Sequence, residues 1–278
     1  MKALTFASIT FSILLFCAAT SPAQDPKPIF ERAIEQLHHN QIDLAMNNFR
    51  RVLELVPDQP EANYNLGVCY YNLKQYERAV PALRNAIKSQ PDLVNAYVVL
   101  GNSLDYLDHY AEAVNAYTKA IEYDPKNAQA YADLGVAHER RKDYPAAAKA
   151  FQKAADLDPT IQDVFRSLAR SYYNSGMIAQ SIPAYKKAVQ AEPDNVSNYL
   201  YLGYAYAKTK QFDLAIASFN NVLNLDPHRA YAINGLGEAY LEKNDLTMAR
   251  KQYTALQGLD QALAYRLLLK INAAASRP

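Results

Sequence analysis

Large side chains return along the chain at a fixed interval. Phe49, Leu83, Tyr117, Phe151, Tyr185, Phe219 and Tyr253 stand 34 residues apart. Four positions before each comes a small residue: Ala45, Ala79, Ala113, Ala147, Ser181, Ala215 and Ala249. Residues four apart share a helical face, so these two columns predict one helix per period. A third column, Gly67, Gly101, Gly135, Ala169, Gly203 and Gly237, keeps the same step. It predicts a preceding helix that comes close to the first, because a glycine or alanine leaves room for the neighbouring side chains.

Prolines at 57, 91, 125, 159, 193 and 227 also lie 34 residues apart. Given the first, the other five fall at those places by chance on the order of three times in ten million at ~5 % proline usage. Proline disfavours helix at the residue before it and cannot continue the hydrogen-bond ladder, so each marks the exit of the second helix. Asp124, Asp158 and Asp226, each just before a proline, suit that exit. On this reading Pro81, Pro145 and Pro183 lie in or near the first turn of that helix, where backbone N–H groups lack helical partners anyway.

Within a period the order is aromatic, Leu-Gly, aromatic, Ala, aromatic, Pro, as in Tyr97, Leu100-Gly101, Tyr110, Ala113, Tyr117 and Pro125. This pattern closely resembles the tetratricopeptide repeat, a helix–turn–helix unit of about 34 residues. The resemblance covers seven periods: 26–59, 60–93, 94–127, 128–161, 162–195, 196–229 and 230–263. It implies an all-α fold, a right-handed superhelical solenoid. The first period departs most, with Arg32 and Gln36 where Leu and Tyr are expected. After the last, Leu263, Leu267 and Ile271 form one stripe, which predicts a capping helix over 262–276 that covers the final core face.

Composition narrows the function. The chain carries 29 Lys and Arg against 28 Asp and Glu, and Lys2 is the only charged residue of the first 23. A balanced chain gives no reason to expect nucleic acid. Met1-Lys2, an apolar stretch from Ala3 to about Ala19 and the small residues Ser21 and Ala23 read as a cleavable export signal over 1–23. The run is shorter than the ~20 residues of a spanning helix, so no stable membrane insertion is expected after cleavage. Cys17 ends an apolar run as in a lipoprotein signal, but Phe16 precedes it where such a signal wants a small residue. The expectation is an exported bacterial protein, periplasmic or secreted, with Cys69 as its lone thiol.

No catalytic constellation emerges. His38-His39 has no third ligand at metal spacing. His138 occupies a slot otherwise filled by Tyr or Leu, and Lys142 rather than His stands four residues on, so no zinc-protease motif forms. Cys69 belongs to a column of small residues, with Ser103, Ala137, Ser171, Ala205 and Ala239, and reads as a core filler. No enzyme, no cofactor and no metal site is expected.

The resemblance implies where binding occurs. In this family the first helix of each repeat lines a concave face that holds a partner protein or peptide. Carried onto this sequence, the groove is Tyr64, Tyr71, Asn102, Asp105, Tyr106, Arg140, Arg166, Arg170, Tyr173, Tyr204, Asn234 and Glu238, with Tyr231 alongside. Tyrosine offers contact area and a polar tip at modest entropy cost. Arg166 and Arg170 lie one helical turn apart and need a counter-charge. Either Glu139 supplies it, or an acidic partner does so through bidentate pairing.

Two specialised patterns of the family are absent. Tyr64 and Val68 stand where a chaperone-tail clamp has Lys and Asn. The column Asn65, Val99, Asp133, Ser167, Tyr201 and Gly235 is no asparagine ladder of the glycosyltransferase type. The function that follows is a non-catalytic scaffold or adaptor. The alternatives are an assembly factor for an envelope complex, or a regulatory subunit of a separately encoded enzyme.

Overall fold

A computed structural model describes residues 25–276. The segment read as an export signal, with Cys17, lies outside them. The described residues form fifteen α-helices and no strand. Seven antiparallel pairs follow one another: α1 (Pro26–His38) with α2 (Ile42–Leu55), α3 (Pro60–Asn72) with α4 (Tyr76–Ser89), and α5 (Val94–Tyr106) with α6 (Tyr110–Tyr123). Next come α7 (Ala128–Arg140) with α8 (Tyr144–Leu157), α9 (Val164–Asn174) with α10 (Ile178–Ala191), and α11 (Val196–Lys208) with α12 (Phe212–Leu225). The series ends with α13 (Ala230–Glu242), α14 (Leu246–Gln257) and a single helix α15 (Gln261–Ala275). Each helix packs on its partner and on the next pair, which gives an all-α superhelical repeat fold.

The small columns set the close approaches. A Cβ added at Gly67 would stand 2.6 Å from Leu83, at Gly135 2.8 Å from Phe151, and at Gly203 2.6 Å from Phe219. Ala45, Ala79, Ala113, Ala147 and Ala215 are fully buried opposite them. Gly237 meets Leu267 of α15 rather than Tyr253 of its own repeat, at 2.5 Å from the added Cβ. Leu263, Leu267 and Ile271 are buried, so α15 closes the core at that end.

The turn inside each pair has its own column. Asn40, Lys74, Asp108, Lys142, Gly176, Lys210 and Asn244 all have positive φ. Only one of the seven is glycine, so six L-residues adopt the left-handed conformation to reverse the chain in a short loop.

Two features differ from the sequence reading. Pro81 and Pro183 stand at the sixth position of α4 and α10, beyond the first turn, and only Pro145 lies within it. Each of the two interior prolines removes one i→i−4 hydrogen bond, yet both helices run on for two further turns because their apolar faces are packed. The fifth repeat also enters its first helix late. Asp163 has φ 61°, and α9 begins at Val164 with 11 residues where α5, α7 and α11 have 13.

Candidate functional site

The first helices of neighbouring repeats meet one another, α3 with α5, α5 with α7 and α11 with α13. The second helices lie farther apart, so the first helices form the inner side of the curve. The groove residues are carried on that side and fall into three groups.

The first group lies on α3, α5 and α7. Tyr106 is 61 % exposed and stacks on Tyr76, the first residue of α4, with ring centroids 4.5 Å apart and nearly parallel. Tyr71 leans on Tyr106 at 6.0 Å and on Tyr76 at 5.7 Å. Burial, with the neighbouring rings of Tyr106 and Tyr76, pushes the Tyr71 hydroxyl up to about 12. Tyr64 is half-buried against the core, and burial raises its pKa also. Asn102 accepts a 2.6 Å hydrogen bond from the hydroxyl of Tyr117, which lies beneath Gly101.

Two carboxylates accompany these rings. Burial raises Asp105, while the charge of Arg140 lowers it. Oδ1 of Asp105 is shielded from solvent and has no hydrogen-bond donor. Asp133 on α7 is pushed up to about 6 by burial, with the charge of Asp105 adding to the rise. A 2.8 Å bond from Gln129 Nε2 to Asp133 Oδ1 opposes it.

The second group lies on α7, α9 and α11. Arg170 grips Glu139 with two hydrogen bonds, Nε to Oε1 at 3.2 Å and Nη2 to Oε2 at 2.5 Å. Ser171 Oγ donates to the same carboxylate at 2.8 Å. Arg166 is ion-paired with Asp163. Both arginines therefore already hold carboxylates of this chain, and the expectation that they await acidic groups of a partner is corrected. The cause for Arg166 is the late start of α9, which leaves Asp163 three residues before it at the helix entrance. Arg140 has no ion pair among the described residues. With Arg170 it borders a shallow depression of about 380 Å³, lined also by Val136, Glu139, Tyr144 and Asn174.

Tyr173 and Tyr204 belong to an aromatic chain that runs through Tyr201. Tyr173 and Tyr201 are 6.4 Å apart, Tyr201 and Tyr204 6.3 Å, and Tyr204 and Phe219 5.3 Å. Tyr201 also stacks on buried Tyr185 at 6.1 Å. The Tyr204 hydroxyl donates to the backbone carbonyl of Tyr231, whose own ring is 57 % exposed.

The third group, near the C-terminal end, is satisfied internally. Asn234 Nδ2 donates to Glu238 Oε1 at 3.1 Å, and Lys270 of α15 reaches the same oxygen at 2.6 Å.

Tyr76, Asp133 and Tyr201 were missed as groove residues. Asp133 and Tyr201 share the column that was tested only for asparagines. A check of that column for any polar or aromatic residue would have found both. His138 is lowered by burial and lies on packed α7, and Cys69 is fully buried with its thiol pushed up to about 11 by desolvation. Among the described residues, no three His, Cys, Asp or Glu side chains are grouped to hold a metal, and no helix is long and apolar enough to cross a membrane.

Comparison with known proteins agrees with this architecture. The tetratricopeptide repeat model matches residues 98–160, 166–228 and 211–264, and a model of anaphase-promoting complex (cyclosome) subunit 3 matches 38–120. Similar solved structures include YrrB, a TPR protein with an unusual peptide-binding site. It is 24 % identical with a TM-score of 0.61, over 66 % of this chain and 96 % of that one. MamA is 21 % identical with a TM-score of 0.57, over 60 % of this chain and 92 % of that one. The C-terminal part of a TPR repeat-containing protein from Cytophaga hutchinsonii is 20 % identical with a TM-score of 0.64, over 86 % of this chain and 99 % of that one. At these identities the likeness is one of fold. No curated protein matches the sequence. With the repeat model matched over more than half of its length and helix pairs stacked to the same period, the chain belongs to the tetratricopeptide repeat family, whose members are in general non-catalytic protein-interaction scaffolds.

Proposed function

We propose that this protein is an adaptor that holds an extended segment or helix of a partner protein along its inner face. The observation that carries this reading is the pair of tyrosine clusters there, Tyr71–Tyr76–Tyr106 at one end and Tyr173–Tyr201–Tyr204 at the other. Tyr106 and Tyr231 present most of their rings to solvent, and aromatic side chains dominate the binding energy of protein interfaces. That the structurally similar YrrB is described as having a peptide-binding site adds support at the level of the fold. An acidic group on the partner would find Arg140, the groove arginine without an ion pair among the described residues. The partner is met outside the cytoplasm, after removal of residues 1–23; N-terminal sequencing of the mature protein tests that step.

The binding test is a pull-down with Tyr106→Ala combined with Tyr231→Ala. Partner capture should fall while the helical circular dichroism stays unchanged. Capture equal to wild type would remove the groove from the account.

A second reading, an assembly factor working through an end surface, is favoured by α15. Its outer face carries Tyr265 at 62 % and Leu269 at 50 % exposure, where a terminal repeat element usually needs a polar face. Tyr265→Lys with Leu269→Lys would then abolish complex formation and leave peptide capture intact.

A further inference from the structure

Between α3, α5 and α7 the groove carries groups that its core packing does not use. The ring of Tyr106 forms an exposed wall, backed flat by Tyr76 and flanked by Tyr71. One residue earlier on α5, Asp105 turns an oxygen into a solvent-shielded position where no donor meets it. Asp133, one repeat on, lies close enough for the two carboxylates to feel each other's charge, and only one donor, Gln129, serves it. Arg140 is near enough to act on Asp105, but it forms no ion pair with either aspartate. Asp108 and Tyr110, bonded to each other, complete the charged and polar groups on the α5–α6 side.

Two partly desolvated carboxylates at one corner repel each other, and a shielded carboxylate oxygen without a donor is costly. Exposed tyrosine faces beside them offer the negative side of their ring quadrupoles. Both features are relieved by the same chemistry, a cation with several N–H donors and a flat or compact head.

We propose that the corner formed by Asp105, Asp133 and the Tyr71–Tyr106 rings is a specificity subsite of the groove that takes an arginine or lysine side chain from the bound segment. The assignment rests on the adaptor reading, since it places a partner's side chain in the groove. It also makes the groove two-part: a cation-selective corner on repeats two to four, and an aromatic surface on repeats five to seven.

The test uses N-acetyl-arginine methylamide as the probe, titrated into isotope-labelled protein near neutral pH, with backbone amide shifts as the readout. Saturable shifts should centre on Tyr71, Asp105, Tyr106 and Asp133. The neutral citrulline analogue should leave those amides in place. Asp105→Asn with Asp133→Asn, isosteric changes checked for folding by circular dichroism, should weaken the response on the order of tenfold or more. Equal shifts from the citrulline probe, or an undiminished response in the double variant, would overturn the subsite. A silent titration with partner capture still dependent on Tyr106 and Tyr231 sinks the corner and leaves the groove. A positive titration with capture indifferent to those tyrosines sinks the groove reading, and with it the assignment to a partner's side chain.

Discussion

Gly101 on α5 lies directly against the ring of Tyr117 on α6: a Cβ at position 101 would stand 2.5 Å from Tyr117 Cε1. Tyr117 is 2 % exposed, and its hydroxyl is tied to Asn102 at 2.6 Å. The contact is therefore with a rigid ring held in place, not with the loose end of a chain. The glycine column is the point where two helices of a repeat come closest.

Gly101→Ala is expected to lower stability by roughly 1–3 kcal/mol, because the ring or the helix must shift to admit the methyl group. A urea unfolding midpoint below that of wild type checks it. An unchanged midpoint would show that α5 and α6 adjust freely at this contact. Ala169 occupies the same column opposite Tyr185, so the penalty depends on local fit rather than on the repeat as such.

Asp133 sets a pH dependence whose sign can be stated. Its folded pKa is about 6 against an ordinary 3.8, raised chiefly by burial. A group raised on folding contributes stability that is fully present below its unfolded pKa and lost as pH rises through its folded one. Ionised Asp133 is thus a cost at neutral pH. Asp133→Asn should stabilise the protein by about 1–2 kcal/mol near neutral pH and by almost nothing below pH ~3.8. Urea titrations at the two pH values measure the difference, and an equal effect at both would refute the burial argument.

The Glu139–Arg170 pair is asymmetric. The Glu139 side chain is 10 % exposed and that of Arg170 52 %. Removing the arginine strands a shielded carboxylate with Ser171 as its remaining donor, whereas neutralising the glutamate leaves an arginine free to rehydrate. Arg170→Ala should therefore cost about 1–2 kcal/mol and Glu139→Gln less, in denaturant unfolding. Equal losses would mean that the pair behaves as an exposed surface bridge.

Cys69 should be unreactive in the native state. It has no exposed surface, and desolvation holds its thiol up to about 11, so the thiolate is scarce at neutral pH. Iodoacetamide labelling at this position, read by peptide mass spectrometry, should be slow in buffer and rapid in urea. Rapid native labelling would show that the second repeat opens readily.

The groove was partly legible before the fold. Tyr106, Tyr173 and Tyr204 were placed by the repeat alone, because each occupies an inner-face position that recurs every 34 residues. The ion pairs were not, since they join separate repeats: Glu139 to Arg170, Asp213 to Lys243 and Glu238 to Lys270. Partners 30 to 32 positions apart meet only when one repeat is laid on the next with a particular rotation. The left-handed turn column stayed hidden for another reason. Asn, Lys, Asp and Gly alternate in it, so its residues share a backbone conformation and no side-chain type.

What the sequence determined by itself is the repeat: its length, its two helices, the prolines that end them and the small residues where they touch. Those features are written locally, and each is copied often enough to rise above chance. What only the tertiary structure decided is how the inner face is wired. The late start of α9 that pairs Asp163 with Arg166, the stack of Tyr106 on Tyr76 and the shared corner of Asp105 and Asp133 depend on rotamers and on the angle between successive repeats. No single 34-residue unit encodes these, because the interacting atoms belong to different units and meet only once the units are stacked.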